Sequence, residues 1–173
     1  DGGYRDYCIV RVVGITANIN TSTVVDAENG YIFGVNAGLN SLDEYVTLSD
    51  ISCSLEYATA YGEIGTGTVI NLVRDDSIID SYTVVIFGDV NGDGAVNGAD
   101  ASLILQKGVD LITGFVDQKG RDIPDDAGDV NGDGSTNGAD ASLILQKGVD
   151  LIDGFVDQKG NPLTIYKYTY IAK

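Results

Sequence analysis

The chain has 173 residues and a formal net charge of -16, with 26 Asp and Glu against 10 Lys and Arg. That balance argues against a nucleic-acid partner, which needs a basic stripe, and suits cations. His and Trp are absent, so the commonest general base and the strongest sugar-stacking ring are missing.

The length suits one or two small domains, and the ordinary hydrophobic content marks a folded protein and not an acidic disordered tail. No apolar run approaches the roughly 18 residues of a membrane span, so no membrane insertion is expected. No Met occurs, so the chain is expected to begin inside a longer precursor, and the lack of a signal peptide says nothing about secretion. Cys8 and Cys53 are the only thiols. Without CxxC spacing, zinc or thioredoxin-like chemistry is not expected. A disulfide in an oxidising compartment and two buried thiols in strands both fit.

In chain order, residues 1–87 read as short strands: DYCIVRVV, YIFGV, YVTL, CSLEYAT, GTVINLVR and SIIDSYTVVIF. β-branched and aromatic residues dominate them, and Glu28-Asn29-Gly30 and Asp75-Asp76 mark turns between them. GLNSLDE, residues 38–44, is a candidate for one short helix. A compact antiparallel, sandwich-like β-domain is expected. It offers no catalytic constellation, and Asp43, Glu44, Glu56 and Glu63 are read as solvated surface.

The composition changes near Phe87-Gly88. Residues 89–112 read DVNGDGAVNGADASLILQKGVDLI and residues 129–152 read DVNGDGSTNGADASLILQKGVDLI, and GFVDQKG closes each copy. Such self-similarity predicts two equivalent units. Counting each loop from its first Asp, oxygen side chains stand at positions 1, 3, 5, 9 and 12: Asp89, Asn91, Asp93, Asn97 and Asp100, then Asp129, Asn131, Asp133, Asn137 and Asp140. With a backbone carbonyl at position 7 (Ala95, Ser135) and Gly94 or Gly134 at the sharp turn, this is EF-hand ligand spacing, so two Ca²⁺ are expected. Position 12 is Asp where the usual EF-hand has Glu, which requires the helix start to lie nearer the ion. Three carboxylates per site should repel one another without a cation, and Mg²⁺ is disfavoured by its demand for tight octahedral geometry.

A helix, ADASLILQKGVDLI, follows each loop. At 100° per residue its core stripe is Ala101, Ile104, Leu105, Gly108, Leu111 and Ile112, with Ala99, Leu103, Gln106, Lys107 and Asp110 opposite. Leu103, repeated as Leu143, is an apolar residue on the polar face and is read as a binding anchor. No helix is expected before either loop, because SYTVVIF enters the first and RDIPDDA, with Pro124, enters the second. A sensor that opens an angle between paired helices is therefore disfavoured.

Two copies of DVNGDGxxNGxD, each followed by one helix and lacking an entry helix, resemble the dockerin module of cellulosomes over about residues 88–165. GTGTVINLV and SYTVVIFGDVNGDG give residues 24–87 a weaker resemblance to the X module that accompanies some dockerins. The resulting fold class is mixed: a small antiparallel β-sandwich-like domain (1–87), a mainly α dockerin (88–165, repeats 88–127 and 128–167) with two half EF-hands, and a Tyr-rich tail (166–173).

The resemblance implies binding to a cohesin on a scaffoldin or cell-surface protein, in a secreted, extracellular polysaccharide-degrading complex. In the family, contact specificity falls on the positions of Gly98, Ala99, Leu105 and Gln106, and of Gly138, Ala139, Leu145 and Gln146. Many dockerins have Ser-Thr and Lys-Arg there, so partner choice does not carry over. Because the wheel turns Leu105 inward, the expected partner-binding set is Gly98, Ala99, Leu103, Gln106, Lys107 and Asp110, with Gly138, Ala139, Leu143, Gln146, Lys147 and Asp150. Identical faces imply two alternative binding orientations. Competing readings are a calcium-stabilised adhesion module and carbohydrate binding by Tyr4, Tyr7, Tyr31, Tyr57 or Tyr61. Nothing pairs a nucleophile with a base, so no enzyme activity is expected.

Overall fold

The computed structural model describes residues 13–60 and 62–163. The expected strand around Cys8 and the tail beyond residue 163 lie outside the described residues, as does any pairing of Cys8 with the buried Cys53.

Short β-rich segments build the first half: β1 (Ile15–Ala17), β2 (Val24–Asp26), β3 (Tyr31–Phe33), β4 (Val46–Leu48), β5 (Ser54–Ala58), β6 (Val69–Arg74) and β7 (Ser77–Val84). Alternation in β6 sends Ile70 and Leu72 inward. Its hairpin to β7 turns on Asp75 and Asp76, both left-handed (φ 51° and 58°), as a two-residue turn matched to strand twist requires. Five strands form one sheet in the order β2-β3-β7-β6-β5, while β1 pairs with β4. Ile15 and Val46 from that pair pack with Ile32, Ile70, Leu72, Tyr82 and Val84 of the larger sheet. The β-rich first half expected from the sequence is therefore present, with side chains of both sheets in one apolar cluster.

Two expectations need correction. The larger sheet is mixed and not wholly antiparallel, because β3 lies parallel to β7. Three strands separate them in sequence, so no hairpin forces opposite directions. The GLNSLDE segment is no helix but a set of bends and turns. Leu39 bridges to Ile64, and fully buried Leu42 accepts from the amides of Tyr45 and Val46.

In the second half, α1 (Gly98–Gly108) and α2 (Gly138–Gly148) follow the two acidic loops, and among the described residues no α-helix leads directly into either loop. A small hairpin, β8 (Phe115–Val116) with β9 (Asp122–Ile123), and a 3₁₀ turn (Asp125–Gly128) connect the copies. Each helix starts in a capping box. The Asn97 side chain accepts from Ala99 N–H while Asp100 Oδ2 accepts from Asn97 N–H, and Asn137 with Asp140 repeats this. Each also stops earlier than the apolar pattern predicts. Asp110 (φ 57°) and Asp150 (φ 55°) adopt the left-handed conformation that ends a helix, with Leu111 N–H donating to Gln106 O and Asp110 N–H to Lys107 O.

That early stop reverses part of the helical wheel. Leu111 and Ile112 are not helical, and removing them from the count turns the buried stripe toward Asp100, Ala101 and Ile104. Leu103 and Leu143 then pack partly buried against the core, whereas Leu105 and Leu145 are exposed, as are Leu111 and Leu151. The assignment of Leu103 as an exposed anchor and Leu105 as core is thus corrected.

The two halves share a core. Beyond β7 the chain stays extended, and successive side chains take opposite sides. Val84 and Ile86 enter the cluster between the sheets, while Val85 and Phe87 join Phe33, Val90, Ile104, Phe115, Ile123, Val130 and Ile144 in the other. The repeats also interlock. A Cβ at Gly88 would lie 3.1 Å from the Phe155 ring, and one at Gly128 would lie 3.1 Å from the Phe115 ring.

Candidate functional site

The first loop is an ordered cradle of backbone amides around carboxylates. Asp89 Oδ1 accepts from Gly92 N–H (2.8 Å) and Oδ2 from Thr66 N–H (2.8 Å) and Gly94 N–H (3.2 Å). Asp100 Oδ1 accepts from the amides of Val90 and Asn91. Asn91 Oδ1 accepts from Asp93 N–H, and Asp93 Oδ1 from Ala95 N–H. The second loop repeats most of this: Asp129 accepts from Asp133 and Gly134, Asn131 from Asp133, Asp133 from Ser135, and Asp140 from Asn131. A carboxylate oxygen has two lone-pair directions. Asp89 Oδ1, Asp93 Oδ1 and Asp100 Oδ2 each accept a single N–H, which orients them and leaves a lone pair. Asp89 Oδ2 and Asp100 Oδ1 already accept two.

Burial sets the electrostatics of the loop carboxylates. Asp89, Asp100 and Asp140 are fully buried. Burial pushes the Asp89 carboxyl up to about 7 and Asp100 up to about 6, and it raises Asp140. The amide bonds pull each back, and neighbouring loop carboxylates add to the rise. Among the described residues no Lys or Arg pairs with Asp89, Asp93 or Asp100. Nor does any group of three or more His, Cys, Asp or Glu stand together as a ready metal cluster. The donor set is a mixed one, with carboxylates supplemented by Asn91, Asn97 and the carbonyl of Ala95, all hard oxygens. It fits a hard divalent cation in donor type and in charge. Asn131, Asn137 and Ser135 supply the counterparts in the second loop.

The helices present the second part of the site. Gly98, Ala99, Gly138, Ala139, Asp110 and Asp150 are exposed, and Gln106 and Gln146 are half-exposed. Leu105 and Leu145 are 50% and 49% exposed. They reach reciprocally across the helix pair, since a Cβ at Gly138 would sit 3.9 Å from Leu105 Cδ2 and one at Gly98 would sit 3.7 Å from Leu145 Cδ2. Leu105, Gly138, Leu145 and Gly98 therefore form one continuous apolar face. The sequence reading named both leucines from the resemblance and set them aside because of the misplaced stripe. Lys107 is less available than expected: its ammonium lies 2.6 Å from Asp125 and 4.9 Å from the Phe115 ring centre. Residue 165, which corresponds to Asp125 in the second copy, is Ile.

Residues 87–147 match the family model of the dockerin type I domain. These residues form a dockerin module. The match runs from the first loop into α2 and does not include the β-domain; no curated protein and no solved structure matches the chain. Dockerin modules bind cohesin modules in extracellular cellulosome-type complexes. Among the described residues no helix is long and apolar enough to cross a membrane.

Of the tyrosines suggested as sugar platforms, Tyr31 and Tyr57 are among the described residues, and both are engaged within the protein. Tyr31 packs on Phe33 at 5.7 Å, and Tyr57 is half-buried with its hydroxyl accepting from Leu42 N–H. Tyr4, Tyr7 and Tyr61 lie outside the described residues.

Proposed function

We propose that this dockerin is a calcium-dependent plug for a cohesin, holding one Ca²⁺ in each loop and anchoring its parent protein in an extracellular polysaccharide-degrading complex. The observation that carries this reading is the reciprocal apolar face, Leu105 over Gly138 and Leu145 over Gly98, at nearly equal exposure. A twofold-repeated face offers a partner two equivalent footings, so either helix can lead. The residues nominated for contact are Gly98, Ala99, Leu105 and Gln106 with their counterparts Gly138, Ala139, Leu145 and Gln146. Small residues beside an exposed leucine let a partner's own side chains approach the helix closely, which suits an apolar anchor surrounded by a polar rim. Calcium's part is to neutralise the loop carboxylates and so fix both helix starts. Catalysis by these residues forms no part of the reading.

The test is capture of cohesin-bearing extracellular and cell-surface proteins of the source organism on the immobilised chain, with calcium and then with chelator. Capture only with calcium is expected. Leu105→Asp and Leu145→Asp singly should each retain capture, and the double variant should lose it. Loss with either single change would sink the two-orientation reading, and empty lanes in calcium would sink the cohesin reading.

A further inference from the structure

The six leading residues of the two loops are identical, DVNGDG in each, but their surroundings are not. Over the first loop lies a segment of the β-domain, Ile64–Thr66. Thr66 N–H donates to Asp89 Oδ2 at 2.8 Å. Thr66 is itself clamped, its hydroxyl donating to Ile86 O and accepting from Ile86 N–H. Gly65 presses backbone on backbone: a Cβ there would stand 2.5 Å from Gly92 O and 2.7 Å from Gly94 N. Gly92 and Gly94 are buried beneath it. In the second loop Gly134 is exposed with nothing within 4 Å of a Cβ, and Asp133 is exposed where Asp93 is only half so. The cover over the rest of the second loop comes from its own copy: a Cβ at Gly132 would stand 3.1 Å from Leu163 Cδ1, and Gln158 Nε2 donates to Asn131 O.

We propose that Ile64–Thr66 of the β-domain form the outer wall of the first cation loop, making it the tighter and slower-exchanging of the two, with its ion locking the β-domain onto the dockerin. The inference rests on the calcium reading above. The Thr66 amide fixes the Asp89 carboxylate before an ion arrives, so less ordering is left for the binding step. The Gly65 contact shuts water from one side of the loop, which strengthens attraction between the ion and its carboxylates. By reciprocity, an ion that binds better when the wall is in place must strengthen the wall's docking by the same factor.

The test uses the intact chain and calcium alone. Asp133→Ala leaves the first loop to be measured and Asp93→Ala leaves the second, by titration calorimetry and by release into a fluorescent chelator. The first loop is expected to bind about tenfold tighter and to release more slowly, the scale typical of an outer-shell partner. Hydrogen exchange supplies a separate readout. With calcium, the Thr66 amide should be protected in Asp133→Ala and lose that protection in Asp93→Ala. Gly65→Ala, which cannot keep its contact with Gly92, should bring the first loop's affinity down to the second's. If that change unfolds the β-domain, the comparison of the two loop variants still decides the matter. Equal affinities with equal Thr66 protection would overturn the inference alone. An intact chain that binds no calcium at all would overturn both it and the calcium reading.

Discussion

Asp89 and Asp100 hold their carboxylates where water does not reach, and that makes the calcium-free protein sensitive to pH in an unusual direction. Their folded values, about 7 and about 6, lie above the ordinary carboxylate range because burial disfavours the charge. Between about pH 4 and pH 7 the folded chain therefore binds more protons than the unfolded one, and stability falls as pH rises. Thermal melts of the chelated protein should give a higher midpoint near pH 5 than near pH 8. With calcium bound the order should reverse, since the ion needs the deprotonated carboxylates. A second prediction concerns Asp110, whose left-handed backbone costs more for an L side chain than for glycine. Asp110→Gly should raise stability by about 1 kcal/mol in denaturant titrations, and Asp150→Gly should do the same.

Among the elements, the acidic loops and the capped helices behind them were legible because both depend on local chemistry: fixed ligand spacing, Asn at the cap and Asp three residues on. The helix ends were not legible. A stop at Gly would have been visible, whereas Asp110 in the left-handed region gives no signal in sequence, and the apolar Leu111 and Ile112 beyond it extended the wheel falsely. In the β-domain the longer strands showed their alternation, but β1 and β2 span three residues each and carry too little pattern. The parallel placement of β3 beside β7 is a long-range choice that local composition does not encode. Ile64–Thr66 was invisible for a similar reason, since its role comes from what it covers. Ile104 and Ile144 are the fully buried centres of the corrected stripes. Ile104→Ala should cost about 2–5 kcal/mol, and Leu105→Ala much less, in equilibrium unfolding.

For the molecule as a whole, both halves stand or fall together. Phe33 lies in the β-domain, yet it packs in the cluster that holds the helices, 6.4 Å from Phe87. Phe33→Ala should cost about 3–5 kcal/mol and lower the melting of strands and helices in one transition. Two separate transitions, with only the β-signal shifted, would contradict a shared core. Calcium should add to the same cooperative unit, roughly 2.7 kcal/mol per site at free calcium 100 times its dissociation constant.

The boundary at Phe87-Gly88, so clear in composition, is thus a change of material and not a joint. Val90, Ile104, Phe115 and Ile123 rest on Phe33, Val85 and Phe87 as a floor. A cut at Gly88 would carry the loops and helices away and leave the floor behind. Anyone transplanting this plug onto a foreign enzyme would have to bring the strands with it, or supply a new apolar surface of the same shape. Its portability is that of strands and helices together, although the residues proposed for contact all lie on the helices.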